Sequence, residues 1–128
     1  MPFSNNGFEV RFGVEVFLLY RGEIILDSKL AEVLKLVDKR GSLLTACRSL
    51  GLSYSRIWER ISKIENLLGL KLIEARRGGR GGGGTILTNN AKKLLKMYSD
   101  AVEKVRPCAE LLSVVPVAEK PMPDLVIM

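Results

Sequence analysis

Residues 42–68 of the chain, SLLTACRSLGLSYSRIWERISKIENLL, decide its fold. Ser42 and Ser53 are each placed to cap a helix, because a serine hydroxyl accepts a hydrogen bond from a free N–H in the first turn. Gly51 suits the left-handed residue that ends a helix. Apolar residues follow both serines at helical spacing. They are Leu43, Ala46, Cys47 and Leu50, and then Ile57, Ile61, Ile64 and Leu68. The stretch predicts two helices joined by a turn of three residues, which is typical of a helix-turn-helix motif.

On the N-terminal side of this motif, the residues predict a strand pair and a helix. Apolar residues recur at every second position over 10–20, which is the period of a strand. The dipeptide at 21–22 can turn the chain into a short second strand at 24–26. Asp27 or Ser28 then caps a helix that ends before the helix-turn-helix. The buried face of this helix is predicted to hold Leu30, Val33, Leu34 and Val37.

On the C-terminal side, the residues predict a hairpin and a last helix. Residues 70–76 and 85–87 read as strands, and six glycines occupy the seven positions 78–84 between them. Because glycine is unfavourable inside helices and strands, the glycine run predicts a mobile loop tip. Thr88 caps the last helix, and Pro107 kinks or ends it. The apolar stripe of this helix consists of Ala91, Leu94, Leu95, Tyr98, Ala101, Val102 and Val105.

These elements predict an α+β fold that is mainly helical. It is a winged helix-turn-helix with an N-terminal β-hairpin and a C-terminal dimerisation helix. A chain of 128 residues, 47% of them hydrophobic, can fold as one domain without a disulfide or a metal. The predicted segments are an N-terminal arm at 1–27, the winged helix-turn-helix at 28–88, the C-terminal helix at 89–113 and a tail at 114–128.

The composition excludes several classes of function. The chain has no histidine, which removes Ser-His and Cys-His nucleophiles and histidine metal sites. Cys47 and Cys108 lack zinc-type spacing, and core packing is the favoured interpretation for both. We therefore expect no catalytic residues, no metal and no cofactor, and a protein that is not an enzyme. No apolar run is long enough for a membrane span, and residues 1–10 lack an apolar signal core, so we expect a cytoplasmic protein.

The positive charge of the chain lies in its middle. The net charge is +6, and residues 48–80 carry eight basic and three acidic side chains. Residues 81–99 add three lysines and no acid, whereas 1–27 and 100–128 are each net negative. A solvated basic surface would explain this pattern, but a surface that faces phosphates is the favoured interpretation.

The second helix of a helix-turn-helix enters the major groove with its N-terminal end first. With the isoleucines facing inward, Ser55, Arg56, Glu59 and Lys63 point outward, and Arg60 lies on the flank. Arg56 is a candidate to bind guanine O6 and N7, and Ser55 suits a base edge or a phosphate. Glu59 can accept from cytosine N4 or pair with Lys63, and we favour the pairing.

Ser53 and Tyr54, at the start of this helix, complete the candidate DNA-binding residues on it. The Tyr54 hydroxyl can contact a phosphate, or the side chain can lie at the edge of the buried face. For Trp58, which lies at the same edge, core packing is the favoured interpretation.

The glycine-rich loop allows two interpretations as a site. Gly78 and Gly83 have the spacing of a Walker phosphate loop, but Gly84 stands where the lysine belongs, and a strand follows instead of a helix. We reject that interpretation in favour of a wing. The candidate wing residues, which would contact the DNA backbone or minor groove, are Arg76, Arg77 and Arg80.

A set of residues also resembles a known family. They are Gly41-Ser42, Ala46, Gly51, Ser53-Tyr54, Trp58, Ile61, Gly78-Gly79, Gly81-Gly82-Gly83, Leu87-Thr88 and Tyr98. Over residues 14–105 the chain resembles the N-terminal domain of ModE-type molybdate-responsive transcriptional regulators, a LysR-like winged helix. The resemblance implies a homodimer, with the first and last helices at the interface and two recognition helices on operator DNA.

The chain departs from that family at three points. Cys47 replaces a usual alanine, and Gly84 is an additional glycine. The tail after Arg106 is too short to fold the C-terminal oxyanion-binding domains of the full-length regulators. We therefore expect no oxyanion effector.

Taken together, the residues and the resemblance predict a sequence-specific DNA-binding transcriptional regulator. The expected partners are double-stranded DNA and a second copy of the chain, with no membrane. The alternative is a protein–protein interaction module, in which the basic surface is incidental and the apolar tail docks a partner.

Overall fold

The computed structural model describes residues 8–79, 82–112 and 115–118. These residues form two units: the larger runs from Glu15 to Val102, and the smaller joins the described residues before Glu15 to those after Val102. The elements in chain order are β1 (Phe8–Val10), β2 (Leu18–Tyr20), β3 (Glu23–Leu26), α1 (Ser28–Arg40), α2 (Leu43–Leu50), α3 (Tyr54–Leu68), β4 (Ile73–Gly79), β5 (Gly82–Leu87), α4 (Asn89–Glu110) and β6 (Val115–Ala118).

The helix starts follow the predicted caps. Asp27 accepts from the backbone N–H of Leu30 at 2.9 Å and so caps α1. Ser42 and Ser53 accept from the first turns of α2 and α3 in the same way, and Thr88 does so for α4. Gly51 has a φ of 68°, a left-handed conformation that a side chain would strain, and it ends α2. The helix-turn-helix prediction is confirmed, with α2 and α3 separated by residues 51–53.

The core of the larger unit is built from one face of each of its helices. Its most buried side chains include Leu30, Val33, Leu34 and Val37 of α1, Leu43, Ala46 and Cys47 of α2, Ile57, Ile61 and Ile64 of α3, and Ala91 and Tyr98 of α4. Three further buried residues complete the core: Leu26 of β3, Leu72 just before β4, and Leu87 at the end of β5. Because α3 turns its isoleucines inward, its opposite face is left to solvent.

The predicted strand at 10–20 is wrong for residues 11–17. In this part of the chain, β1 pairs with β6 and β2 pairs with β3. Between them the chain is held by other bonds: the Glu15 carboxylate accepts from the backbone N–H and the hydroxyl of Ser28, both at 2.9 Å. The Val16 carbonyl accepts from the Tyr98 hydroxyl at 2.9 Å. An alternating pattern has the period of a strand, but a strand also needs a neighbour to pair with.

The glycine-rich segment is more regular than its composition predicts. β4 runs to Gly79 and β5 starts at Gly82, and the two pair antiparallel with Arg76 opposite Gly84. The predicted loop is therefore wrong for positions 77–79 and 82–84, because hairpin pairing outweighs the weak strand preference of glycine. β4 also starts at Ile73, later than the predicted start at residue 70.

Near the C-terminus, the structure corrects the expectation for Cys108 and adds detail at Pro107 and in the tail. Pro107 lies inside α4, which continues to Glu110. Cys108 is exposed on that helix, whereas Cys47 is buried as predicted, and burial raises the pKa of its thiol. The predicted tail contains β6, which pairs with β1. The rest of the tail after Ala118 lies outside the described residues.

Within the described ranges, no helix combines the length and the apolar character needed to span a membrane.

Candidate nucleic-acid interface

The outward face of α3 carries the side chains predicted to read DNA. Ser55, Arg56, Glu59 and Lys63 are exposed or half-buried, opposite the buried isoleucines. The Ser53 hydroxyl accepts from the Arg56 backbone N–H and lies 3.3 Å from the Ser55 hydroxyl. The structure thus brings the predicted residues together on one face of α3, with Ser55, Arg56 and Glu59 in its N-terminal half and Ser53 acting as the cap.

The predicted pairing of Glu59 with Lys63 is not among the ion pairs that the described residues form. Both side chains reach solvent on α3. The other interpretation of Glu59, as an acceptor for cytosine N4, therefore stays open.

Arg60 is engaged within the fold. Its guanidinium donates to both carboxylate oxygens of Asp27, at 2.9 and 3.3 Å. Burial alone would raise the pKa of Asp27, but the bonds from Arg60 and from the Leu30 N–H, with the nearby positive charges, lower it below its ordinary value. The bidentate pair joins α3 to the start of α1, so Arg60 positions α3 within the fold.

Trp58 is 49% exposed, so the prediction that it packs in the core is wrong. It lies with Tyr54, which is 43% exposed, beside a groove of about 430 Å³ between α3 and the hairpin. Trp58 follows Ile57 directly and is therefore turned about 100° from the centre of the buried stripe. This turn places the indole at the groove instead of the core.

Glu65 connects α3 to the hairpin, and the sequence reasoning missed it. It is 8% exposed, and one carboxylate oxygen accepts from the N–H groups of Leu72 at 2.7 Å and Ile73 at 3.1 Å. Lys71 supplies a cation at 3.3 Å from the other oxygen. The available signal was an acidic residue directly after Ile64, at the edge of the apolar stripe of α3.

The base of the hairpin docks on the connection between α1 and α2. The Thr85 N–H donates to the Gly41 carbonyl at 2.8 Å, and the Thr85 hydroxyl accepts from the Leu43 N–H at 3.2 Å. At Gly84 an added Cβ would overlap the Gly41 carbonyl oxygen and lie 2.7 Å from the Arg76 guanidinium. The additional glycine noted in the sequence is thus the residue that permits this close approach.

The three arginines predicted for the wing have different positions. The Arg76 guanidinium lies against Gly41 at the end of α1, where a Cβ would be 3.3 Å away. Its charge therefore faces the negative end of the α1 dipole. Arg77 is exposed on β4. Arg80 lies outside the described residues.

No group of three or more residues from His, Cys, Asp and Glu is placed to hold a metal ion within the described segments.

Three known proteins align with part of the chain. The identity is 36% over 66 residues with the molybdenum-pterin-binding protein MopB of Rhodobacter capsulatus, covering 52% of this chain and 24% of MopB. The identity is 31% over 83 residues with the transcriptional regulator ModE of Haemophilus influenzae, covering 65% of this chain and 32% of that protein. The identity is 28% over 91 residues with the DNA-binding transcriptional dual regulator ModE of Escherichia coli, covering 71% of this chain and 35% of that protein. The aligned region is thus a third or less of MopB and of the Haemophilus ModE, and about a third of the E. coli ModE.

These alignments confirm the resemblance to ModE-type regulators. Residues 29–92, from the first turn of α1 to the first turn of α4, match the lysR family of bacterial regulatory helix-turn-helix proteins. This match takes in half of the chain, and it spans the helix-turn-helix, the hairpin and the contacts that join them. The chain belongs to the lysR family of bacterial regulatory helix-turn-helix proteins.

Proposed function

We propose that this chain is a sequence-specific DNA-binding transcriptional regulator. In this proposal α3 lies in the major groove, and the hairpin β4–β5 contacts the backbone or the minor groove. The observation that carries it is the outward face of α3, where Ser55, Arg56 and Lys63 lie together opposite the buried isoleucines. The family match and the two regulators named ModE support the same function.

Arg56 is the side chain best placed to read a base. It lies in the first turn of α3, the end that leads into the major groove. It is exposed and forms no ion pair with a described residue, so its guanidinium is available for O6 and N7 of a guanine. Tyr54 and Trp58 line the groove between α3 and the hairpin. In this proposal they contact the sugar-phosphate strand that passes there.

We expect Arg56→Ala to weaken binding to a duplex selected from genomic DNA by about 1–3 kcal/mol for each half-site. Specificity should relax at one base position, because the arginine bonds form only where that position is a guanine. Arg77→Ala and Arg80→Ala should weaken the selected and the scrambled duplex by similar factors, since phosphate contacts carry no sequence information. The measurement is fluorescence anisotropy with both duplexes over a range of salt concentrations.

The matched control is Arg48→Ala, which removes an exposed arginine from α2 and leaves α3 intact. If Arg56→Ala binds both duplexes as Arg48→Ala does while remaining folded, α3 does not read DNA. The protein–protein interaction module then becomes the better explanation.

We also propose a homodimer, which would double the base contacts on a two-fold operator. Most of the α4 stripe packs on the chain's own core, since Tyr98 is buried and Leu94, Leu95 and Val102 pack against it. Several large apolar side chains elsewhere are left exposed. They include Phe12, Val14, Phe17 and Leu19 near the N-terminus, and Met97 on α4. Such side chains in water favour a partner surface.

Light scattering should therefore give twice the monomer mass of 14.2 kDa at tens of micromolar. Replacing Phe17 and Leu19 by serine should shift the equilibrium towards the monomer, whereas Arg48→Ala, at an exposed position of α2, should not. A wild-type chain that remains at the monomer mass at this concentration would contradict the dimer.

A further inference from the structure

We propose that the chain has a second phosphate-binding site, at the junction of the end of α1, strand β5 and the start of α4. Its expected occupant is a backbone phosphate of the bound duplex that lies outside the bases contacted by α3. We call this site the junction pocket, and its charged residues are Lys39, Arg40, Arg76 and Lys92, with Asp38 at the wall. This inference rests on the proposed DNA-binding function.

The junction pocket is a concavity of the larger unit. Its volume is about 300 Å³, and besides the charged side chains it is lined by Val37, Gly41, Thr85, Ile86 and Leu87. Val37 and Leu87 belong to the core, and the Thr85 N–H bond to Gly41 closes the floor. The pocket is therefore formed by packed elements and does not depend on the tip of the hairpin.

The charges of the junction pocket are unbalanced. Four cations face one carboxylate, and all four cations are exposed. None of them pairs with an acid in the described part of the chain. Cations that lie close together repel one another, and a bound anion offsets this repulsion. The arrangement therefore favours a phosphate over an apolar or cationic ligand.

Arg76 is the member of the set that lies beside Gly41 and Gly84 at the base of the hairpin. A Cβ added at Gly41 would lie 3.3 Å from its guanidinium, and a Cβ added at Gly84 would lie 2.7 Å from it. A guanidinium can bind a phosphate with two parallel hydrogen bonds, which a lysine cannot. Lys39 and Lys92, on flexible stems, supply point charges from either side.

The junction pocket is continuous with the surface proposed to read DNA. Thr85 lines both this pocket and the groove beside Tyr54 and Trp58. Thr85 of β5 thus lies between a groove next to α3 and a basic pocket next to α1. A DNA strand that leaves the groove across the base of the hairpin would meet the junction pocket next.

The test compares two double variants on duplex DNA. Lys39→Gln with Lys92→Gln removes one charge from α1 and one from α4 at the pocket. Lys35→Gln with Lys93→Gln removes one exposed charge from each of the same helices outside it. The pocket variant should lower the slope of log K against log salt by about 0.9 for each phosphate that it no longer neutralises, or about twice that in a dimer. The ratio of selected to scrambled binding should stay unchanged, and the control variant should keep the wild-type slope.

Equal slopes for the pocket variant and the control would overturn the inference. The lysines of the pocket would then contribute no more to DNA binding than exposed lysines elsewhere on the same helices. If Arg56→Ala still weakens binding to the same duplex, the proposed function survives that result. If the wild-type chain binds no duplex, the proposed function and the junction pocket both fail. Calorimetry with inorganic phosphate separates a free anion from the DNA backbone. Tight stoichiometric phosphate binding that the pocket variant abolishes, without a change in the DNA slope, would assign the pocket to a free anion and overturn the DNA-backbone site.

Discussion

Glu65→Ala is expected to lower the free energy of unfolding by about 2–3 kcal/mol, because it leaves the buried N–H of Leu72 and the N–H of Ile73 without their acceptor. Glu65→Gln keeps an acceptor oxygen but loses the charge, so it should have a smaller effect. Urea unfolding followed by the fluorescence of Trp58, the single tryptophan, measures both.

Glu59→Ala is the matched control for this prediction. It removes an exposed carboxylate from the same helix and should change stability by no more than about 0.5 kcal/mol. Faster hydrogen exchange at the Leu72 and Ile73 amides of Glu65→Gln would locate the effect at the start of β4. Equal unfolding midpoints for Glu65→Ala and Glu59→Ala would contradict the role of Glu65.

Gly84→Ala is expected to destabilise the protein by about 1–3 kcal/mol, the range for a side chain forced into a filled space. The added methyl group would overlap the Gly41 carbonyl oxygen, so the base of the hairpin would have to move away from the connection between α1 and α2. This movement would break the bonds of Thr85 to Gly41 and to Leu43. Thermal unfolding measures the loss of stability, and anisotropy measures the accompanying loss of DNA binding.

Gly13→Ala is the control for Gly84→Ala, since a Cβ there would meet nothing within 4 Å and its φ is not positive. It should be neutral or slightly stabilising, because alanine restricts the unfolded chain. If Gly84→Ala and Gly13→Ala had the same melting temperature, the base of the hairpin would tolerate a side chain at position 84.

The parts of the fold that depend on neighbouring residues were predictable from the sequence. Asp27, Ser42, Ser53 and Thr88 each cap a helix by accepting from an N–H in its first turn, and the turn at Gly51 follows from one backbone angle. For the same reason the outward face of α3 could be assigned. Helical spacing places its isoleucines on one side whatever else the chain does.

The parts that depend on distant contacts were not predictable. Glu65 accepts from residues that lie beyond the end of its own helix, and Gly84 is explained only by the position of Gly41. The alternation at 11–17 has the period of a strand, yet Glu15 bonds to Ser28 instead of a partner strand. Trp58 lies at the boundary between core and surface, where the hairpin's position decides its exposure.

The hairpin is attached to the rest of the larger unit at both of its strands. Glu65 binds the entry to β4, and Gly41 and Leu43 bind β5 at Thr85. With its base held at two points, the hairpin cannot swing freely to follow grooves of different width. A duplex that touches both α3 and the hairpin would have to bend or change its own groove width to fit their spacing. Base steps that deform easily would then raise affinity at positions no side chain contacts, so the operator would be recognised partly by its stiffness.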